Sequence, residues 1–177
     1  MASFALVRLE PDDSRPPFDC GDANLNEFFA VDSAEGGREL LTVTYSALVN
    51  GDLAAFFSVS NDSLRRDDCR SSAAERRLLR HIPRHKRYRS LPAVKIGRLA
   101  VSLSAQAQGV GSDILDFVKA WFTTGNKTGC RFVIVDAYNR AEITRFYARN
   151  GFSFLLAEDA QDTTRLMYFD LATFKPK

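Results

Sequence analysis

The stretch Arg98-Leu-Ala-Val-Ser-Leu-Ser-Ala-Gln-Ala-Gln-Gly-Val-Gly111 decides how this chain folds. It closes an apolar run, residues 93–101 (AVKIGRLAV), that reads as a buried strand. Residues 102–108 then form a loop. A helix is expected to start near Gly109, because Val110, Ile114, Leu115, Val118, Trp121 and Phe122 recur at helical spacing. Glycines at 109 and 111 let another group approach the main chain closely, and the amides of a helix's first turn point outward without partners. The positive end of the helix dipole favours an anion there. The segment is neither a Walker loop, which needs Gly-Lys-Ser/Thr, nor a GxGxxG fingerprint. Two readings fit the glycines alone: a tight strand-to-helix turn that needs them for geometry, or a cradle for phosphate.

Working outward, residues 41–49 (LTVTYSALV) and 53–60 are strand-forming runs separated by Asn50-Gly51, a strong hairpin signal. Upstream, residues 4–9 predict a first strand. Asp22 is placed to cap a helix carrying Leu25, Phe28 and Phe29, which Gly36-Gly37 is expected to break. Residues 61–70 are polar and predict a loop. Ser71 or Ser72 caps a helix running to about His81, with Leu78, Leu79 and Ile82 as its apolar edge, and Pro83 ends it. Residues 84–92 are basic and irregular. Downstream, residues 131–136 (RFVIVD) predict a strand and residues 140–150 a helix with Ile143, Phe146 and Tyr147 on one side, stopped by Gly151. Residues 152–156 and 164–171 predict a closing hairpin. Strands alternating with helices argue for an α/β or α+β architecture.

The 177 residues suit one domain, 1–177, and 45% hydrophobic content excludes a disordered chain. No apolar run reaches the ~18 residues that cross a bilayer, so no membrane is expected. Residues 1–10 lack the basic opening and apolar centre of a secretory signal. Cys20, Cys69 and Cys130 are odd in number and far apart, which predicts neither a disulfide framework nor a metal site and points to the cytoplasm. Between Arg65 and Arg98 lie twelve Lys/Arg and three acids, a local charge of +9, which leaves −7 for the rest of a chain of net charge +2. Such a segment is either a solvated face or a surface for an anionic partner.

The quoted segment resembles the acetyl-CoA signature of the GNAT N-acetyltransferase superfamily: a strand ending Leu99-Ala100-Val101, then Gln106-x-x-Gly109-x-Gly111 at a helix start. Phe146-Tyr147, followed by Gly151-Phe152, resembles that family's later helix, and the two motifs stand in the family's order. The resemblance implies a single mixed, mostly antiparallel sheet with splayed central strands flanked by helices. It implies that acetyl-CoA lies along Leu99, Ala100 and Val101, with its diphosphate over Gln106, Ala107, Gln108, Gly109, Val110, Gly111 and Ser112. No metal is implied. Acetyl would pass directly to a primary amine.

Tyr147 matches the family tyrosine that protonates the departing thiolate; on its residues alone it is equally a core aromatic of an amphipathic helix. Asn139 resembles an asparagine that contacts the pantetheine arm, and an N-cap role is the alternative. No general base is legible among Asp136, Glu142, His81 and His85, and Cys130 reads as a small apolar residue at a strand start.

Phe18-Asp-Cys-Gly21 and Leu25-Asn-Glu-Phe-Phe29, together with Ile96-Gly-Arg-Leu-Ala-Val101, further resemble acetyltransferase toxins of bacterial toxin–antitoxin pairs, which act on aminoacyl-tRNA. Ser102 and Gln108 depart from the residues common there. That resemblance implies tRNA on the basic segment and an antitoxin protein as partner; a homodimer would suit the superfamily. Three functions stay open. The first is an N-acetyltransferase for a small-molecule or protein amine. The second is a toxin that acetylates the α-amine of aminoacyl-tRNA. The third is a non-catalytic acetyl-CoA-binding module.

Overall fold

A computed structural model describes residues 4–126 and 128–175. Among these residues seven strands form one mixed sheet in the order β1-β2-β3-β4-β5-β7-β6. They are β1 (Ala5–Leu9), β2 (Val43–Val49), β3 (Asp52–Arg65), β4 (Ser90–Val101), β5 (Phe132–Tyr138), β6 (Ser153–Phe154) and β7 (Thr164–Asp170). The β1–β2, β2–β3, β5–β7 and β6–β7 pairs are antiparallel. The parallel pair, β4 with β5, is registered over Ala93↔Phe132, Val94↔Val133 and Lys95↔Ile134. Of the two architectures that the alternation of elements allowed, α/β and α+β, this is the second.

The chain divides into two compact units, Met1–Ser60 with Ile96–Phe117, and Asn61–Lys95 with Val118–Lys177. In the first, Asp22 caps α1 (Ala23–Glu27), its Oδ1 accepting from the amides of Asn24 at 3.0 Å and Leu25 at 3.2 Å. A π-turn, Phe28–Asp32, joins α1 to α2 (Ser33–Arg38). The core is aromatic: Phe56 packs against Phe29 at 4.8 Å between ring centroids and against Phe18 at 5.1 Å. Asn50 and Gly51 both take positive φ, 54° and 91°, the conformation of the two-residue turn that joins β2 to β3.

Gly36 and Gly37 do not break the helix; both lie inside α2, which ends where Leu40 turns left-handed at φ 57°. Their role is close packing. A Cβ on Gly36 would stand 2.7 Å from Thr42 Oγ1, and one on Gly37 would stand 3.3 Å from Pro11 Cγ.

In the second unit Ser71 caps α3 (Ser72–Leu79), its Oγ accepting from the Ala74 amide. Leu78, Leu79 and Ile82 are buried with Leu64, Leu91, Phe132, Leu155 and Tyr168. Here β3 runs on to Arg65 where a loop was expected, and β4 begins three residues early, at Ser90. The two extensions share a cause. A strand's ladder is built by main-chain groups, so polar side chains on an exposed face do not prevent it, and Leu64 and Leu91 bury alternate positions. The ladder's end is marked by the Arg66 amide donating to Arg89 O.

Helix α4 (Val110–Thr123) buries Val110, Ile114, Leu115 and Val118 as its spacing implied, but Trp121 is 38% exposed. The buried stripe turns instead through Lys119. Helix α5 (Ala141–Arg149) stops at Gly151, whose φ of 83° suits glycine and whose added Cβ would sit 3.0 Å from Phe169 Cε2. β6 has only two residues, less than the expected 152–156, although Leu155 continues the contact by donating its amide to Leu166 O.

Candidate active site

In the first unit the end of β4 is anchored on two sides. The Ser102 amide donates to Ala54 O at 2.8 Å, and the Leu103 amide donates to Asp19 O at 2.9 Å. A 3-10 turn, Leu103–Ala105, follows. Gln106 then folds back, its side-chain amide donating to both Val101 O and Cys20 O at 3.0 Å. Gln108 braces the same turn by donating to Ser104 O at 2.7 Å. The two glutamine side chains thus brace the loop, while residues 106–109 are exposed.

Ala107 and Gly109 take left-handed φ values of 61° and 86°. A Cβ on Gly109 would meet nothing within 4 Å, so this glycine serves backbone conformation, and the space beside it is open. The Asp113 amide donates to Gly109 O, which starts α4 and leaves the amides of Val110, Gly111 and Ser112 without helical partners. The exposed turn at 106–109, which runs into the positive end of a fourteen-residue helix whose first residues Val110 and Gly111 are buried, fits a diphosphate group. Leu99 and Val101 are half-buried and Ala100 lies in the core. Residues 99–101 and 106–112, read from sequence as the acetyl-CoA segment, all fall in this unit.

The Phe18-Asp-Cys-Gly21 segment is part of the same construction. Asp19 and Cys20 carbonyls receive the loop's two bonds, and Asp19 is itself fixed by accepting from the Gly21 amide and the Asn26 side chain. Those bonds, the Gly21 amide first, hold its carboxyl below the usual range. Sequence reasoning saw this segment only as a resemblance, because a carbonyl acceptor leaves no trace in residue identity.

Tyr147 and Asn139 belong to the second unit. Tyr147, 8% exposed, sits on α5 with its ring edge-on to Phe146 at 5.1 Å and to Phe152 at 5.4 Å. Burial pushes its phenol above the ordinary value of 10.0, so the oxygen keeps its proton across the physiological range. Asn139 does not cap α5; Arg140 holds that position, and makes no side-chain cap bond. The Asn139 side chain instead donates to Ala160 O and Asp162 O, both at 2.9 Å, tying down the segment before β7. Loop carbonyls outcompete the helix amides for this side chain.

Asp136 is paired with Lys95 at 2.5 Å, Glu142 is exposed in the first turn of α5, and His81 is exposed. Burial raises the thiols of Cys20, Cys69 and Cys130, which keeps them protonated and poor nucleophiles. Among the described residues no group of His, Cys, Asp and Glu is arranged to hold a metal, and no helix is long and apolar enough to cross a membrane.

Lys119 was missed. It is 3% exposed and donates from Nζ to Asn150 O at 2.8 Å. The available signal was spacing, since 115, 118, 119 and 122 lie on one helical stripe, but a lysine reads by default as solvated. Of the twelve basic residues between Arg65 and Arg98, ten are exposed; Arg66 pairs with Glu75, and Lys95 with Asp136. Ser63, Arg65, Arg66, Asp67, Glu75, Arg89 and Ser90 line an open groove in this unit.

No family model matches the chain. Several solved structures share its fold along nearly its whole length. A tyrosine-to-phenylalanine mutant of KacT superposes with a TM-score of 0.76 at 22% identity, covering 96% of each chain. AtaT complexed with acetyl-methionyl-tRNAfMet gives 0.74 at 20% identity, covering 97% of this chain and 96% of that one. AtaTR bound with AcCoA gives 0.74 at 22% identity, covering 98% and 96%. At these identities the likeness is one of fold.

Proposed function

We propose that this chain is an N-acetyltransferase that moves the acetyl group of acetyl-CoA directly to the α-amine of an aminoacyl-tRNA. The observation that carries the acetyl-CoA reading is the exposed turn at 106–109, with Gly109 at φ 86° and open space beside it, running into the first turn of α4. Support for the acceptor comes from the exposed basic segment and from the fold shared with a toxin that was solved with acetylated tRNA.

When bound, acetyl-CoA supplies an acetyl group activated as a thioester. The main-chain amides of Val110, Gly111 and Ser112 would hold its diphosphate. Main-chain groups of Leu99 to Val101 would line its pantetheine arm as an added strand does, with donors near Val101 facing the carbonyl oxygen as charge develops. Tyr147 holds a proton at its phenol oxygen for the departing sulfur. A dedicated base is unnecessary for this acceptor, because an α-amine with a pKa of ~7.7–8.0 is already partly neutral near pH 7, unlike a lysine at ~10.4.

The test is incubation with labelled acetyl-CoA, total charged tRNA and, in parallel, a panel of small and peptide amines. Label on the aminoacyl group of tRNA supports the proposal. Label only on a small or peptide amine keeps the transferase and overturns the acceptor. Acetyl-CoA binding with no transfer to anything overturns catalysis.

A further inference from the structure

We propose that Lys119 is a positioning residue for Tyr147, clamping the end of α5 so that the phenol is held at one place. The inference rests on the reading of Tyr147 as proton donor. It starts from a buried cation that ordinary packing does not explain. A methionine would fill the same space without the cost of taking an ammonium out of water. A lysine adds a directional hold of fixed length. Its Nζ donates to Asn150 O, at the negative end of the α5 dipole, and lies 4.6 Å from the Phe169 ring centroid and 5.8 Å from that of Phe152.

From there to Tyr147 is a single step by two routes. The Asn150 amide donates to Tyr147 O at 3.0 Å, and the Asn150 side chain donates to Phe146 O at 2.8 Å. The Phe152 amide also donates to Tyr147 O, at 3.1 Å, while its ring packs edge-on against the tyrosine. Both residues that the ammonium touches on this side therefore bond directly to the backbone of Tyr147. Gly151 between them admits Phe169, whose ring forms the other side of the clamp.

The experiment compares Lys119→Met with the unaltered protein in three readouts: acetyl-CoA affinity by calorimetry, kcat of acetyl transfer, and the NMR signal of ring-labelled Tyr147, assigned by its loss in Tyr147→Phe. The expectation is unchanged affinity, kcat lower by about tenfold or more, and a displaced Tyr147 signal. Lys119→Arg, which keeps a cation with donors, is expected to recover part of kcat. A brace that serves folding alone would lower Tm and leave kcat and the tyrosine signal of the folded protein unmoved; that result overturns the proposal.

Should Lys119→Met not fold, Phe169→Leu removes one wall of the clamp while keeping the lysine. An unmoved Tyr147 signal there overturns the proposal equally. If the unaltered protein transfers acetyl to no amine and no charged tRNA, the acetyltransferase reading fails. The tyrosine signal still decides whether Lys119 sets the ring's place.

Discussion

At the scale of single residues, Tyr147 is a core aromatic and, in the proposed mechanism, a proton donor, and the two roles have different consequences when its oxygen is removed. As a core aromatic it packs between Phe146 and Phe152, and phenylalanine preserves that packing. As proton donor it is irreplaceable by a ring without a hydroxyl. Tyr147→Phe is therefore expected to fold and bind acetyl-CoA normally while losing about 10²-fold or more in kcat, measured by thiol release; unchanged kcat removes the residue from the mechanism. The same burial has a pH signature. Because the folded-state phenol titrates above its ordinary 10.0, the folded and unfolded chains differ in the number of protons bound only once pH approaches that value. Its contribution to stability is complete below pH 10 and lost as pH rises beyond it. Urea midpoints of the unaltered protein should fall more steeply above pH 10 than those of Tyr147→Phe, and kcat should show no alkaline loss from this group below pH 10.

At the scale of elements, the strand–loop–helix at 90–123 is held by side chains whose loss would loosen the loop and spare the fold. Gln106→Ala removes both bonds from the loop to Val101 and Cys20, so it is expected to weaken acetyl-CoA binding by roughly tenfold, with a change in Tm of only a few degrees, since exposed hydrogen bonds contribute about 0.5–1.5 kcal/mol each. Equal affinity in calorimetry would show that the turn keeps its shape without the glutamine. This element was legible in sequence because its main determinants are local: β-branched alternation, a positive-φ glycine and a helical stripe. The Asn50-Gly51 hairpin was legible for the same reason. The extension of β3 through Asn61, Asp62 and Ser63 was not, because a neighbouring strand supplies the pairing and the side chains carry no signal of it. Gly36 and Gly37 misled for a related cause: neither takes a positive φ, and only Thr42 and Pro11 in space show that each serves a close approach rather than a break. Asn139 and Lys119 make long-range bonds to carbonyls, which no residue pattern encodes.

At the scale of the whole molecule, the boundaries of the two compact units fall inside β3, β4 and α4. One cooperative calorimetric transition is expected, with an enthalpy of about 120 kcal/mol near 60 °C; two resolved transitions would show the units to be independent. The charge distribution makes a separate demand. A chain of net charge +2 that concentrates +9 between Arg65 and Arg98 has a field that attracts anions toward that segment more than elsewhere. If tRNA is the acceptor, neutralised phosphates release counterions, and six such contacts lower affinity by about 10³-fold between 50 and 200 mM salt. The groove near α3 supplies Arg65 and Arg89 on exposed positions, whereas Arg66 is already paired with Glu75 and has less charge to offer. Arg65→Ala and Arg89→Ala should therefore each reduce the slope of log affinity against log salt by about 1, and Arg66→Ala by less. Equal slopes in all three would place the RNA off this groove. A slope near zero in the unaltered protein would leave the basic segment as a solvated face and remove the main support for a nucleic-acid acceptor.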